Sequence, residues 1–168
     1  MKTQDFAHDF PGTEVSEDLF DVYGRPTVAN HKARLAPFDT IQIKQKLDFH
    51  GSYIITKLEV DPAVIIGLRI EFDPENLIEV EKSTTFELIR ITENGIPNTT
   101  LVEMFDYIRI RDVQGTIYFE GSDDARQWFL LKTEFVSFSR YSCTVTYDVI
   151  DAFNGFGLEN WGLAPWGA

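Results

Sequence analysis

The segment that decides the fold is DTIQIKQKLDFHGSYIITKLEVDPAVIIGLRIEF, residues 39–72. It contains three runs in which apolar and polar residues alternate, starting near Ile41, Ile54 and Ile66. Side chains along a β-strand point to opposite faces with a period of two, so each run predicts a strand with one apolar, buried face and one polar, solvent-exposed face. Short links at His50-Gly51-Ser52 and Asp61-Pro62 leave no room for a crossover helix. We therefore predict three antiparallel strands that are neighbours in one sheet.

Similar runs continue to residue 150, separated by turn signals such as Asn94-Gly95 and Val113-Gln114-Gly115. This spacing predicts a mainly β fold, an antiparallel β-sandwich or barrel of about eight strands with at most one or two short helices. Two places favour helix. Ser16 can cap a turn through Tyr23, and the capping-box spacing of Thr100 and Glu103 predicts a short helix or turn before a strand from Tyr107.

The composition of the 168-residue chain is that of an acidic globular protein, with a formal net charge of −12. Such a surface repels phosphate and anionic lipid, so we expect no direct nucleic-acid contact and no membrane binding. No run approaches the ~20 apolar residues of a membrane span. The first ten residues do not resemble a signal peptide, so we expect a soluble protein that is not secreted by an N-terminal route.

Few residues suggest chemistry, and we predict neither a cofactor nor a catalytic centre. Cys143 is the only cysteine and shares a strand face with apolar residues, which indicates a buried thiol; a nucleophilic role stays open as the alternative. Arg109 and Arg111 either pair with acids across the sheet or bind an anionic partner. Glu79 and Glu81 either line a wet strand face or join Asp73 and Glu75 around calcium.

The chain divides into an N-terminal arm (1–38), a β-domain (39–151) and a C-terminal arm (152–168). Both arms lack a regular period but carry large apolar side chains, which would form association-prone patches if left in water. We expect them to dock either on this chain or on another subunit. The predicted interface residues are Phe6, Phe10, Phe20, Tyr23, Phe156, Trp161 and Trp166.

The run GFGLENWGLAPWG, residues 155–167, resembles the aromatic-glycine repeats of structural proteins of tailed bacteriophages. A small β-domain with two long arms is also similar to the plan of tail, neck and baseplate subunits. The resemblance implies a non-enzymatic virion protein, assembled in the host cytoplasm. Its partners would be copies of itself and other virion proteins, joined by the arms into a ring or tube.

Two other functions remain open from the sequence. One is a carbohydrate- or ligand-binding β-sandwich module in which Trp161 or Trp166 provides a stacking platform. The other is a small β-barrel enzyme whose acidic residues carry no recognisable motif.

Overall fold

The computed structural model describes residue 10 and residues 14–151, with the backbone alone for the last two. The predictions for Phe6, Phe156, Trp161 and Trp166 therefore lie outside the described residues. Thirteen strands and no helix occupy the described part of the chain. The strands are β1 (Phe20–Tyr23), β2 (Thr27–Ala29), β3 (Lys32–Arg34), β4 (Thr40–Ile43), β5 (Tyr53–Lys57), β6 (Val64–Asp73), β7 (Asn76–Lys82), β8 (Glu87–Glu93), β9 (Ile96–Val102), β10 (Tyr107–Val113), β11 (Thr116–Ser122), β12 (Phe129–Phe135) and β13 (Thr144–Asp151).

The strands form a β-sandwich. A seven-stranded sheet has the order β1-β4-β13-β6-β7-β8-β9, a four-stranded sheet has the order β12-β11-β10-β5, and β2 and β3 form a separate hairpin. All pairings are antiparallel. Inward-facing residues of both sheets, including Ile70, Ile89 and Phe119, belong to one apolar core. The predicted fold class, a mainly β antiparallel sandwich, is confirmed.

The prediction that the three runs of residues 39–72 are neighbours is wrong. β5 crosses to the four-stranded sheet and pairs with β10, while β13 inserts between β4 and β6. The first run also ends early, because the strand stops at Ile43 and only Leu47 makes a further bridge, to Cys143. Alternation identifies a strand with one buried face, but that face is buried equally well in either layer of a sandwich.

Strands occupy part of both segments predicted to be helical turns, although a turn after Ser16 is present, with the backbone N–H groups of Leu19 and Phe20 donating to the carbonyl oxygen of Ser16. Residues 100–102 belong to β9, which pairs with β8 across a tight turn where Asn94 and Gly95 have φ of 53° and 77°. Such positive angles suit the two-residue hairpin turn, and its cross-strand hydrogen bonds outweigh the capping pattern. Near the N-terminus the turn ends at Leu19, and β1 follows as the edge strand beside β4.

Residues 14–38 contribute structure to the sandwich, through β1 and the β2–β3 hairpin. The carboxylate of Asp39 holds this segment by accepting hydrogen bonds from the backbone N–H groups of Arg25 (3.0 Å) and Ala36 (2.8 Å). Phe20 is 2% exposed, and its ring stacks on Phe10 with centroids 5.5 Å apart. The prediction that Phe20 is an interface anchor is therefore corrected, because its side chain belongs to the core of this chain.

Candidate functional site

The outer face of the four-stranded sheet is the first candidate. Residues that pair across antiparallel strands share a face, so the registers define two cross-strand rows. The first row is Ile55, Arg109, Glu120 and Leu130, and the second is Tyr53, Arg111, Tyr118 and Thr133. A register shift after Phe119 gives β12 an extra residue and places Leu130 in the first row. These rows, with Lys57, Val113, Phe135 and the adjacent Trp128, are called the outer face below.

A charged cluster lies at the centre of the outer face. The Nε atoms of Arg109 and Arg111 lie 2.8 Å and 2.9 Å from Glu120 Oε1. The two guanidinium groups stack over the rings of Trp128 and Tyr118, at 4.3 Å and 4.4 Å from the centroids. Burial raises the pKa of Glu120, but the hydrogen bonds from the two arginines outweigh it and lower the pKa overall. The predicted pairing of the arginines with an acid across the sheet is confirmed.

Large apolar side chains on the same face are exposed. Tyr53 is 62% exposed, Leu130 61% and Phe135 68%, and Ile55 and Val113 are also exposed. Scattered exposed apolar residues are ordinary, but here they lie together on one sheet face beside stacked arginine and aromatic side chains. Tryptophan, tyrosine and arginine are the residues enriched at the energetic centres of protein interfaces.

A cleft at one end of the sandwich is the second candidate. It has a volume of about 450 Å³ and lies between the β5–β6 connection, the end of β7 and the β9–β10 connection. The lining residues are Leu58, Glu59, Val60, Lys82, Ser83, Thr84, Met104, Phe105 and Asp106.

Two ionisable side chains are buried behind this cleft. Lys82 and Glu87 pair directly across β7 and β8, and they are 9% and 2% exposed. Lys82 Nζ donates to the carbonyl oxygens of Leu58 (3.1 Å) and Phe105 (2.6 Å). The Glu87 carboxylate accepts from the backbone N–H of Phe105, while its Oε1 has no protein partner. The pair thus holds both inter-sheet connections against the seven-stranded sheet.

Replacing Glu87 with Gln should flatten the dependence of stability on pH. Burial raises the pKa of Glu87 above its ordinary 4.5, and nearby Lys82 lowers it by less. The folded state therefore binds this proton more tightly than the unfolded state, so stability falls as pH rises from about 4.5 through the folded-state pKa. The free energy of unfolding, measured with urea between about pH 4.5 and 8, should decline less with rising pH for Glu87→Gln than for the natural protein. Glu103→Gln, which replaces an exposed glutamate, is the control. The same dependence of unfolding free energy on pH in all three proteins would contradict the prediction.

Cys143 is buried, as predicted, at 1% exposure. Burial, with a smaller contribution from Asp48, raises the pKa of its thiol to about 12. We expect iodoacetamide at pH 8 to alkylate the folded protein at least ~10³-fold more slowly than the urea-unfolded protein, because the thiolate is the nucleophile. Mass spectrometry measures both rates, and rapid labelling without urea would contradict the buried-thiol interpretation.

The remaining predicted residues have simpler surroundings. Tyr23 is 64% exposed on edge strand β1, and Phe10 is half-buried against Phe20. Arg90 Nη1 lies 3.4 Å from Glu79 and 3.0 Å from Glu81, so these acids line a wet strand face. Among the residues that the structure describes, no group of three potential ligands could hold a metal ion. The same residues include no helix that is long and apolar enough to cross a membrane.

Sequence reasoning missed Lys82 and Glu87, although the alternation pattern contains the signal. Lys82 shares strand parity with the buried residues Ile78 and Val80, and Glu87 shares parity with Ile89. A charged residue in the apolar register of a strand indicates a buried ionisable group, which is a common feature of functional sites.

Comparisons with known proteins establish no family. No family model matches the chain, and no curated protein matches it. Among solved structures, the TRIM65 PSpry domain has a TM-score of 0.49 at 13% identity, with 79% of this chain and 86% of that chain covered. A β-glucanase from Bacillus licheniformis has a TM-score of 0.48 at 11% identity, covering 89% and 78%. A native glycosidic hydrolase has a TM-score of 0.48 at 11% identity, covering 67% and 57%. At this level of similarity no function is transferred.

Proposed function

We propose that this protein is a non-enzymatic assembly subunit that binds a second copy of itself through the outer face. The observation that carries the proposal is the clustering of exposed Tyr53, Leu130 and Phe135 around the Arg109–Glu120–Arg111 group. A sheet face of this composition loses unfavourable water contact when another protein covers it.

The bonding state of the polar groups favours a protein partner over a carbohydrate at this surface. Arg109 and Arg111 are already hydrogen-bonded to Glu120, and their guanidinium groups cover one side of Trp128 and Tyr118. A hydroxyl-rich ligand would therefore find few unpaired polar groups there. The exposed aliphatic side chains instead provide the non-directional contact area that protein interfaces use.

Charge supports a second copy of the chain as the partner. Lys57, Arg109, Arg111 and Glu120 give the outer face a net charge of +2, so with −12 for the full chain the remainder carries −14. The opposite layer offers a complementary surface. Strands β6, β7, β8 and β13 carry four carboxylates and two guanidinium groups on their outward side: Glu71, Glu79, Glu81, Asp148, Arg69 and Arg90. Contact between two different surfaces repeats from copy to copy and builds rings or filaments.

The area of the outer face sets a limit on how tightly it can bind alone. Three strands of seven residues and one of five, about 4.8 Å apart, cover roughly 400–450 Å², about half of the ~800 Å² per partner in a stable interface. We propose that the terminal segments supply the remainder, with Phe6, Phe156, Trp161 and Trp166 as contact residues. The resemblance of residues 155–167 to phage structural proteins supports a ring or tube in a virion tail, neck or baseplate as the setting.

Size-exclusion chromatography with light scattering tests the proposal on the full chain. We expect concentration-dependent oligomers that dissociate as salt rises, because exposed charge pairs are screened. Leu130→Asp should shift the equilibrium toward monomer at least ~10-fold, by placing a carboxylate in the apolar contact. Ile96→Asp is the matched control, since Ile96 is 73% exposed but lies at the tip of the β8–β9 hairpin. A natural protein that stays monomeric at about 1 mM, or equal effects of the two substitutions, would overturn the proposal.

A further inference from the structure

The end cleft has the dimensions and mixed lining of a small-molecule site. Its volume of about 450 Å³ falls within the roughly 300–1,000 Å³ range of such sites. Leu58, Val60, Met104 and Phe105 provide apolar wall, and polar groups lie beside them on three separate chain segments. None of these residues belongs to the outer face, although Glu59 forms an ion pair with Lys57 of that face.

Charge at the cleft excludes strongly charged ligands. An anion would meet the carboxylate of Asp106, with Glu87 buried nearby, while the ammonium group of Lys82 is already hydrogen-bonded to two carbonyl oxygens. A cation would meet that same ammonium group at the inner wall. It would also find Glu59 already paired with Lys32 and Lys57, at 2.6 Å and 3.3 Å. A neutral ligand avoids both the repulsion of an anion by the carboxylates and the repulsion of a cation by the ammonium group.

The unused hydrogen-bonding capacity defines the ligand further. The ammonium group of Lys82 has three N–H donors, of which Leu58 and Phe105 take two. The exposed hydroxyl of Thr84 can donate and accept, and the carboxylate of Asp106 accepts. Ser83 is less available, because its hydroxyl already accepts from the backbone N–H groups of Thr85 and Phe86. A fitting ligand therefore has several hydroxyl groups and one apolar face for the apolar wall of the cleft.

We propose that the end cleft, with the ammonium group of Lys82 at its inner wall and the ring of Phe105 at its side, binds a neutral sugar unit. A sugar ring combines hydroxyl groups that both donate and accept with a C–H face that packs on apolar side chains. The cleft volume accommodates one or two such units. The Lys82–Glu87 pair holds both connections that form the cleft walls and so fixes the shape of the cleft.

Isothermal titration and ligand-observed NMR on the full chain test this proposal. The probes are glucose, galactose, mannose and N-acetylglucosamine, each at up to about 10 mM, with citrate as an anionic probe. We expect at least one sugar to bind with a Kd in the millimolar range and citrate not to bind. Thr84→Trp, which places a large ring at the cleft, should weaken sugar binding at least ~10-fold.

Thr27→Trp is the matched control, because Thr27 is also an exposed threonine, in the β2–β3 hairpin, and it should leave binding unchanged. Absence of binding by all four sugars would overturn the proposal, as would stronger binding of citrate. Equal loss of binding in the Thr84→Trp and Thr27→Trp variants would also place the sugar elsewhere and overturn it. Oligomer formation by Thr84→Trp stays as in the natural protein, which separates this test from that of the outer face.

Discussion

Replacing Asp112 with Asn should lower the free energy of unfolding by about 3–5 kcal/mol, because it leaves a buried partner charge uncompensated. Asp112 is 4% exposed at the end of β10 and joins three parts of the chain. Its carboxylate accepts from the backbone N–H groups of Gly51 (2.8 Å) and Gly115 (2.9 Å). Arg140 Nε lies 2.9 Å from Asp112 Oδ1 as an ion pair, although its N–H is not aligned for a hydrogen bond. Asparagine keeps the shape but removes the charge and one acceptor oxygen.

Urea denaturation at neutral pH measures this effect. Asp61→Asn is the matched control, since Asp61 forms only an exposed ion pair with Arg34 at 3.6 Å and should cost less than about 0.5 kcal/mol. A cost below about 1 kcal/mol for Asp112→Asn would show that Asp112 does not hold the three segments together.

Lys82→Met should lower the free energy of unfolding by about 3 kcal/mol at pH 8, which is the second largest effect that we expect. The substitution removes both hydrogen bonds to the inter-sheet connections and leaves Glu87 buried without its neighbouring cation. The deficit should shrink toward pH 5, because protonation removes the uncompensated charge of Glu87. Adding Glu87→Leu should recover part of the loss, since two matched apolar side chains often replace a buried charge pair without penalty.

A double-mutant cycle with urea denaturation measures the coupling, which should be about 1–3 kcal/mol. Lys46→Met provides the control for loss of a lysine, because Lys46 is exposed and donates only to the Thr144 hydroxyl at 2.6 Å. Additive costs for Lys82→Met and Glu87→Leu would contradict a direct interaction between the two side chains.

Local pattern predicted most of the strands. The run that begins near Ile66 forms β6, and β10 begins at Tyr107, where the sequence places a strand. These predictions succeed because a strand with one buried face must alternate whatever its neighbours are. The pairing of Arg109 and Arg111 with an acid was also predictable, since both lie on the wet face of one strand.

The candidate surfaces were less predictable, because they combine residues that are distant in the chain. The outer face joins Tyr53 and Trp128, and the cleft joins Leu58, Lys82 and Phe105. The β9 strand was missed for a related reason. Its residues have a helical capping pattern, and only pairing with β8 resolves the ambiguity.

The sequence by itself determined that the fold is mainly β and antiparallel, a sandwich or a barrel, and that Cys143 is buried, because period-two alternation fixes which side of each strand avoids water. Only the tertiary structure decided which layer each strand joins, that Phe20 belongs to the core and that Lys82 and Glu87 meet in the interior. The physical reason is that alternation specifies a buried face but not the surface that covers it. That choice depends on long-range pairing, such as the insertion of β13 between β4 and β6.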